Sequence, residues 1–312
     1  LKGHAVDGRD FIPAAVAQGA AAVLYQPDDS GTLPDCSIPC IPVPHLARHL
    51  SALAGAFYGE PATQLQLIGV TGTNGKSTTT QLIANWRSLL GGTAGVMGTI
   101  GNGLFGQLTP CENTTASALA IQQELARQLA QGADLVAMEV SSHGLVQGRV
   151  AALPFAVAAF TNLSRDHLDY HGSMEAYADA KEKLFHWPHL RTAVINVDDE
   201  FGRKLLRDTS ALRVLGYGIG ESHRDSHALV RAEALTDLPH GQRFNLVMPN
   251  GRAVVETALV GRYNISNLLA IAAVLFDAGL AADDVAHRLS ALTPPPGRME
   301  RVGGNGEPLV VV

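Results

Sequence analysis

From residue 65 to residue 161, short apolar runs alternate with stretches that have helical spacing. Each run is rich in Val, Ile, Leu or Ala, which is typical of strands buried on both faces of a sheet. The predicted strands are Leu65–Val70, Ala94–Ile100, Leu135–Val140 and Phe155–Thr161, and the predicted helices are Lys76–Leu90 and Ser117–Gln131. This order predicts βαβ units, and therefore an α/β fold whose mostly parallel sheet is flanked by helices.

The pattern becomes more mixed after residue 161. The next predicted elements are a helix at Met174–Phe185, a strand at Thr192–Asn196, a helix at Glu200–Leu206 and two helices at about 264–279 and 282–291. Residues 210–260 alternate in polarity and contain the turn sequences Pro239–Gly241 and Pro249–Gly251. That combination predicts a small antiparallel β section in the same domain.

The two ends of the chain predict parts of further domains. Residues 1–44 have short helix and strand signals, and 44 residues are too few to bury a good core alone. At the other end, Glu307–Val312 has a proline followed by four apolar residues, which predicts a strand just beginning. We therefore expect 1–44 to be the remainder of an N-terminal domain, 45–300 a central domain, and 301–312 the start of a C-terminal domain, with both ends cut.

Composition excludes several classes of protein. The formal net charge is −6 and the chain has no basic run, so we expect no nucleic-acid partner. Aromatic residues make up only 5%, which disfavours base-stacking platforms. We find no signal peptide and no stretch near the roughly 18 apolar residues of a membrane span. Three cysteines cannot all pair and a chain this long needs no disulfide framework, so we expect a cytoplasmic protein. We also expect a monomer.

The segment Gly69–Thr78, GVTGTNGKST, follows a predicted strand and opens a predicted helix. A phosphate-binding loop requires this context, because glycines let backbone N–H groups approach phosphate oxygens and the helix N-terminus adds partial positive charge. Lys76 is then placed to reach the β- and γ-phosphates, and Ser77 to hold Mg²⁺. The strict spacing of such loops requires glycine where Val70 stands. The alternative is a glycine-rich turn without a ligand.

Residues Gly72–Ser77 resemble the ATP loop of the Mur ligases, the amide-forming synthetases of peptidoglycan precursors. The resemblance covers essentially the whole chain and is carried further by Glu112–Thr115, Met138–Leu145, Asn162–Gly172 and Gly297–Glu300. These stretches are most similar to the members that add the third amino acid of the precursor. The resemblance implies ATP-dependent ligation through an acyl phosphate, with a UDP-muramoyl dipeptide and either meso-diaminopimelate or L-lysine as substrates. It also implies a UDP-binding N-terminal domain and an ATP-binding central domain.

The resemblance implies two Mg²⁺ ions, with Ser77, Glu139, His167 and Lys181 as ligands. Glu139 ends a predicted strand beside the phosphate loop, where an acid is well placed to hold Mg²⁺. The alternative for Glu139 is to cap the next turn. His167 is an unusual ligand for Mg²⁺, which prefers oxygen, and its alternative is a hydrogen bond to backbone.

Lys181 is implied to carry a carbamate formed with CO₂, which turns a cation into a metal-binding anion. Carbamate formation needs a neutral amine, and hence a pKa lowered by burial or by nearby cations. From the residues alone, Lys181 could equally lie on a solvated helix face. We expect His143 and His171 to be structural or peripheral.

The resemblance also assigns the contacts of substrate and nucleotide. The implied substrate contacts are His4, Ala5, Val6, Asn113, Thr114, Thr115, Ser141, Gln147 and Arg149. The implied nucleotide contacts are Gly72, Thr73, Asn74, Gly75, Lys76, Ser77, Thr78, Asn264, Asn267 and Arg298. Arg149 suits a carboxylate, and Arg298 suits the γ-phosphate, where with Lys76 and Lys181 it is expected to be catalytic. The alternative for Thr114 and Thr115, and for either asparagine, is to cap the following helix.

Two other classes of protein remain open. A folylpolyglutamate-synthase-like ligase would share the loop and the chemistry, but not Glu112–Thr115 or Ser141–His143. A P-loop ATPase or switch module would need neither Lys181 nor the Arg149 site. The domain that binds the incoming amino acid and closes over ATP in these ligases is not expected within residues 1–312. We therefore expect these residues alone to bind ATP weakly and to form no amide.

Overall fold

The computed structural model describes residues 7–27, 36–220, 228–295, 297, 301–302 and 310–311. The implied contacts of His4, Ala5, Val6 and Arg298 lie outside the described residues. The helices are α1 (Ile12–Ala17), α2 (Leu46–Phe57), α3 (Lys76–Leu89), α4 (Ala118–Ala130), α5 (Ser142–Val146), α6 (Leu168–His171), α7 (Met174–Glu182), α8 (Glu200–Asp208), α9 (Arg262–Asp277) and α10 (Ala282–Ser290). The strands are β1 (Val23–Tyr25), β2 (Cys40–Pro42), β3 (Gln66–Thr71), β4 (Ala94–Gly98), β5 (Gly101–Leu104), β6 (Gln107–Thr109), β7 (Leu135–Glu139), β8 (Phe155–Phe160), β9 (Thr192–Asn196), β10 (Arg213–Ile219), β11 (Ala228–Leu238), β12 (Gly241–Met248), β13 (Gly251–Thr257), β14 (Arg301–Val302) and β15 (Val310–Val311). Short 3₁₀ helices lie at Gly8–Phe11, Pro61–Gln64 and Lys183–His186.

One sheet of 11 strands organises the protein, in the order β13-β12-β11-β10-β9-β8-β3-β7-β4-β5-β6. The pairs from β11 to β4 are all parallel, and antiparallel strands extend the sheet at both edges. The predicted α/β fold with a mostly parallel sheet and a small antiparallel section is therefore confirmed.

The central strands are buried on both faces, as their apolar composition predicts. On β3, Ile68 and Val70 pack in a core with α3, α9 and α10, whereas Leu67 packs on the opposite face with α4 and α8. Full burial of a leucine or isoleucine side chain contributes roughly 1.5–3 kcal/mol, so this doubly covered strand is a rigid base for the loop that follows it.

Two predicted elements differ from the structure. The strand predicted at Ala94–Ile100 ends at Gly98, and the chain turns back into β5 with Gly98 paired to Gly101. The turn is possible because Gly101 adopts a φ of 148°. The strand β10 lies in the region predicted to be antiparallel, but it pairs in parallel with β9, because α8 connects the two strands as a βαβ crossover.

The N-terminal part forms a separate two-stranded sheet, in which β1 and β2 are parallel. Cys36 and Cys40 form a disulfide beside it, and Cys111 is a free thiol. Among the residues that the structure describes, no helix has the length and apolar character needed to cross a membrane.

Polar residues follow the three central strands at one edge of the sheet. The loop Gly72–Gly75 follows β3, Glu139 ends β7, and Thr161 and Asn162 follow β8. Because β8, β3 and β7 are adjacent and parallel, their carboxyl ends meet at this edge. Ligand sites of open α/β sheets lie at such an edge.

Candidate active site

The glycine-rich loop is shorter than the strict phosphate-loop spacing requires, because β3 continues through Thr71. Val70 therefore lies inside the strand and is fully buried, which explains the missing glycine. Gly75 precedes α3 with a φ of 85°, and a Cβ atom there would lie 2.6 Å from Asn267 Oδ1. Glycine is required at this position on both grounds. The first amides of α3 have no acceptor within the helix, which leaves them for an anion.

Thr73 and Asn74 use their backbone donors inside the protein. The Thr73 amide donates to Asn162 O at 2.8 Å, and the Asn74 amide donates to Asn162 Oδ1 at 3.0 Å. Asn74 O accepts from Thr161 Oγ1 at 2.6 Å and from Asn162 Nδ2 at 3.0 Å. These two loop residues anchor the loop to the segment after β8. The sequence gives no sign of this anchoring, because Asn162 is 88 residues away.

Two lysine amines meet at the carbonyl of Gly72. Lys76 Nζ donates to Gly72 O at 2.9 Å and to Thr73 O at 2.8 Å. Lys181 Nζ, on α7, donates to Gly72 O at 2.9 Å. The structure thus brings together two of the three residues expected to be catalytic.

Lys181 is not on a solvated helix face. Its side chain is 1% exposed, and burial holds its pKa well below the ordinary lysine value, with a further lowering by the charge of Lys76. A buried amine beside a second cation is held toward its neutral form. The condition that the sequence analysis set for carbamate formation is met.

Glu139 lies at the carboxyl end of β7 and is 2% exposed. Burial raises its pKa, while hydrogen bonds from the Thr99 amide and from Ser77, and the charge of Lys76, lower it. The Thr99 amide donates to Glu139 Oε1 at 2.8 Å. Glu139 does not cap the next turn, because Ser141 is the N-cap of α5.

A cavity of about 160 Å³ connects the loop with this carboxylate. It is lined by Thr73, Asn74, Gly75, Lys76, Ser77, Thr78, Thr99, Thr114 and Glu139. Thr99 was not identified from the sequence, because the predicted strand Ala94–Ile100 placed it in a strand interior, whereas β4 ends at Gly98. Among the described residues, no three His, Cys, Asp or Glu side chains form a metal-binding group. The cavity instead offers one carboxylate with several hydroxyls, a set of hard oxygen donors that suits Mg²⁺ with phosphate and water as its other ligands.

His167 belongs to a cluster of aromatic rings, the ring cluster, formed by His143, His167, Tyr170, His171 and Tyr177. The ring centroids of His143 lie 5.0 Å from His167, 4.1 Å from Tyr170 and 5.5 Å from His171. Burial lowers the pKa of both His143 and His171, so both are held toward the neutral form. These two histidines are expected to be structural or peripheral, and they pack in a cluster that reaches Lys181 through Tyr177.

The residues expected to bind substrate fall into two groups. Thr115 and Ser141 use their hydroxyls inside the protein: Thr115 Oγ1 donates to Glu139 O at 2.8 Å and accepts from the Ser141 amide at 2.9 Å, and Ser141 Oγ accepts from the Gly144 amide. Asn113 is exposed and Thr114 is half-buried. The alternative that Thr114 or Thr115 caps α4 is wrong, because Ser117 is its N-cap.

Arg149 is a cation that contacts Thr115, one of the residues expected to bind substrate. Its Nη1 donates to Thr115 O at 2.5 Å, and its Nε donates to Gln147 Oε1 at 2.9 Å. Both partners are neutral. A guanidinium held by neutral groups keeps its charge for an anionic ligand.

A larger cavity of about 650 Å³ lies beside the loop, on the side of α9. Its lining includes Asn74, Asn162, Asp198, Asp199, Asn264 and Asn267. Neither asparagine of α9 caps the helix, because Gly261 is the N-cap. Asn264 Nδ2 donates to Val260 O at 2.9 Å, and Thr79 Oγ1 donates to Asn267 Oδ1 at 3.4 Å. Asp198 and Asp199 were not identified from the sequence.

Comparison with known families shows which family the chain belongs to. The Mur ligase middle domain matches residues 70–275, and the catalytic domain of the Mur ligase family matches residues 1–58. The chain belongs to the Mur ligase family. The match to the Mur ligase middle domain thus contains the loop, Glu139, Lys181 and all residues that line the smaller cavity.

This Mur ligase chain is similar to curated ligases over its whole length. It is 50% identical over 312 residues to the UDP-N-acetylmuramoyl-L-alanyl-D-glutamate–2,6-diaminopimelate ligase of Ectopseudomonas mendocina, covering 100% of this chain and 63% of the relative. The ligase of the same name from Pseudomonas aeruginosa is also 50% identical, with the same coverage. The chain therefore spans about 63% of the length of these relatives.

Solved structures give the same family. A UDP-N-acetylmuramoyl-L-alanyl-D-glutamate–2,6-diaminopimelate ligase superposes with a TM-score of 0.82 at 35% identity, covering 95% of this chain and 59% of that structure. A folylpolyglutamate synthase of Mycobacterium tuberculosis complexed with ADP superposes with a TM-score of 0.67 at 20% identity. The superposition covers 84% of this chain and 65% of that structure. At that identity the likeness concerns the fold alone.

Proposed function

We propose that the protein is an ATP-dependent ligase that joins meso-diaminopimelate to UDP-N-acetylmuramoyl-L-alanyl-D-glutamate, for peptidoglycan synthesis in the cytoplasm. The observation that carries the proposal is the 50% identity, over all 312 residues, with ligases of that name. Those names favour diaminopimelate over L-lysine, the two amino acids that the sequence resemblance left open.

The domain assignment follows from the same comparison. We propose that residues 1–44 belong to a UDP-binding domain, residues 45–300 to the ATP-binding domain and residues 301–312 to a C-terminal ligase domain. The packing of α2 against α4 supports placing α2 in the ATP-binding domain, since Gln122 Nε2 donates to Ser51 O at 3.4 Å. The N-terminal family match extends to residue 58 and so crosses this division. The short antiparallel pair of β14 and β15 agrees with the expected strand at 301–312.

ATP would bind with its phosphates on the loop and its base in the larger cavity. The N-terminal amides of α3 and the Lys76 amine would hold the phosphates, and Asn264 and Asn267 line the space for the adenine. Gly72, Thr73, Asn74 and Gly75 would shape the loop. Arg298, outside the described residues, remains a proposed γ-phosphate contact.

Magnesium would be held by Glu139 and Ser77, both of which line the smaller cavity. When bound, Mg²⁺ supplies positive charge that offsets the charge of the transferring phosphoryl group. Glu139 suits this role because the hydrogen bond from the Thr99 amide fixes one carboxylate oxygen. A second ion would be held by His167 and by a carbamate on Lys181, since both residues contact Tyr177 beside the loop.

Carbamate formation consumes one neutral amine and one CO₂. The Lys181 nitrogen bonds to the carbon of CO₂, a carboxylate forms, and the amine proton leaves to solvent. Burial and the charge of Lys76 lower the pKa of the amine, which favours the neutral form that the step requires.

The ligation itself depends mainly on positioning. The free carboxylate of the UDP-linked dipeptide attacks the γ-phosphorus of ATP, and ADP leaves. The amine of diaminopimelate then attacks the acyl phosphate, and inorganic phosphate leaves. Arg149, fixed by Gln147 and Thr115 O, would hold a carboxylate of the substrate. Asn113, Thr114 and Ser141 remain proposed substrate contacts.

The test is product formation by the full-length protein. We expect ADP release to require the UDP-linked dipeptide together with meso-diaminopimelate, and to be at least tenfold slower when L-lysine replaces diaminopimelate. Release of ADP without any acceptor would indicate an ATPase, and release with a folate and glutamate would indicate the folylpolyglutamate-synthase alternative. Either result would refute the proposal.

Gly98→Ala is expected to disturb the magnesium site without changing the loop. A Cβ atom at Gly98 would overlap the carboxylate of Glu139, with Glu139 Cδ at 2.6 Å. Because the carboxylate must move away from Ser77, we expect the Mg²⁺ concentration for half-maximal activity to rise about 10-fold or more. The measurement is a Mg²⁺ titration of ADP release.

Gly95→Ala is the matched control for Gly98→Ala. It lies on the same strand, but its Cβ atom would overlap Gln128 instead of Glu139. We expect it to lower the melting temperature and to leave the Mg²⁺ requirement unchanged. Equal Mg²⁺ requirements for the two variants would count against the role of Glu139.

A further inference from the structure

Tyr177 lies on α7, one turn before Lys181, and its side chain is fully buried. Lys181 Nζ lies over its ring, 4.4 Å from the centroid. Its hydroxyl lies 3.2 Å from Thr73 Oγ1 in the phosphate loop. One side chain therefore touches both the loop and the buried amine, and the sequence analysis assigned it no role.

The hydrogen bonds around Thr73 Oγ1 have one consistent assignment. A threonine hydroxyl has one proton and two lone pairs. The Ser164 amide donates to Thr73 Oγ1 at 3.0 Å, and Thr73 Oγ1 donates to Ser164 O at 3.2 Å. The one remaining lone pair accepts from the Tyr177 hydroxyl. The Thr73 hydroxyl is thus fully used.

This assignment leaves Thr73 without a donor for a phosphate. Its hydroxyl donates to Ser164 O, and its amide donates to Asn162 O. Its carbonyl accepts from Lys76. Thr73 therefore anchors the loop, and Tyr177 contributes to this anchoring with a hydrogen bond from α7.

We infer that Tyr177 is a positioning residue for the nucleotide: its hydroxyl fixes the phosphate loop through Thr73, and its ring places the Lys181 amine against the same loop. The inference rests on the proposed function, in which this loop binds ATP. The two roles use different parts of the side chain. Removing the hydroxyl alone loosens the loop, and removing the ring displaces Lys181 as well.

Tyr177→Phe separates the two roles in the full-length protein. It keeps the ring over Lys181 and loses one hydrogen bond to the loop. We expect ADP affinity to fall about 2- to 10-fold. The KM for ATP rises by the same factor, while kcat changes by less than about twofold and the KM for the UDP-linked substrate is unchanged. Tyr177→Leu, which also loses the ring, lowers kcat in addition.

A double-mutant cycle tests whether the effect passes through Thr73. In a Thr73→Val background, which lacks the hydroxyl, Tyr177→Phe is expected to cause no further loss of ADP affinity. In a Thr73→Ser background, which keeps the hydroxyl, the loss returns. Tyr58→Phe, at the end of α2 and away from both cavities, is the control for loss of a tyrosine hydroxyl and retains parental affinity.

The outcomes distinguish this inference from the proposed function. Parental ADP affinity in Tyr177→Phe, or equal losses in the Thr73→Val background and the parent, would overturn the inference alone. A parent protein that binds no ADP would overturn the proposed function as well. Binding is measured below the melting temperature of each variant, so that a loss of fold is seen separately.

Discussion

Lys76→Ala is expected to abolish ATP-dependent product formation while the fold remains intact. The Lys76 side chain lies on the loop surface, donating to Gly72 O and Thr73 O, and contributes to neither apolar core. Its charge also lowers the pKa of Glu139 and of Lys181, so the site loses a cation that acts on both groups. We expect kcat/KM for ATP to fall by about 10³-fold or more. The measurement is the rate of ADP release as the ATP concentration is varied with the other substrates saturating, together with a melting curve for the same sample.

Lys204→Ala is the matched control for the loss of one lysine charge. Lys204 is an exposed residue of α8 whose amine pairs with Glu182 at 3.2 Å, far from the lining of either cavity. We expect parental activity in this variant. Parental product formation in Lys76→Ala would show that the phosphate-loop assignment is wrong.

The sequence was sufficient to predict that Ser77, Lys76 and Glu139 lie close together. The reason is geometric, because the strands that precede them were recognisable as buried and parallel, and the carboxyl ends of parallel strands share an edge. The helices α3, α4 and α9 were predicted within two residues of their ends for the same reason, since long apolar periodicities are strong signals.

The sequence could not predict which groups hold the loop. Thr73 and Asn74 were expected to contact ATP, but their amides are used by Asn162, and the hydroxyl of Thr73 by Ser164 and Tyr177. Such partners lie about 90 residues apart along the chain, and no local pattern marks them. The ring cluster around His143 is a similar case, because it depends on how α5, α6 and α7 pack.

The hairpin of β4 and β5 shows a different limit of prediction from the hydrophobic pattern. The run from Ala94 to Ile100 is apolar throughout, so periodicity alone predicts one strand. The turn depends on Gly101, whose φ of 148° lets the chain reverse direction so that Gly101 pairs with Gly98. The same turn brings the Thr99 amide to Glu139, so a residue that the pattern assigned to a strand interior became part of the site.

Lys181→Met is expected to lower the activity without lowering the melting temperature. Methionine has a similar length and removes the amine, so no carbamate can form, and we expect ligation to fall by about 10²-fold or more. Gly72 O keeps a donor in this variant, because Lys76 Nζ also reaches it. Lys183→Met, two residues further along, removes an exposed lysine of the same segment and is the control with parental activity.

The stability of Lys181→Met follows from the lowered pKa of the parent lysine. In CO₂-free buffer the unfolded parent binds a proton up to the ordinary lysine pKa of about 10.4, whereas the folded parent releases it at a lower pH. The free energy of unfolding of the parent therefore rises with pH between those two values and is lowest below them. Because methionine carries no such cost, we expect Lys181→Met to melt at or above the parent temperature at neutral pH, with the difference shrinking as pH approaches 10.

Labelled bicarbonate tests whether the loss of activity in Lys181→Met is due to the loss of a carbamate. With ¹³C-bicarbonate, the parent and Lys183→Met should show a carbamate carbon signal that Lys181→Met lacks, and removing CO₂ should lower the activity of the first two only. A carbamate signal that persists in Lys181→Met would place the modification on another amine. Parental activity in Lys181→Met would mean that the buried amine serves only the packing of α7 against the phosphate loop, and the second ion proposed at His167 would lose its anionic ligand.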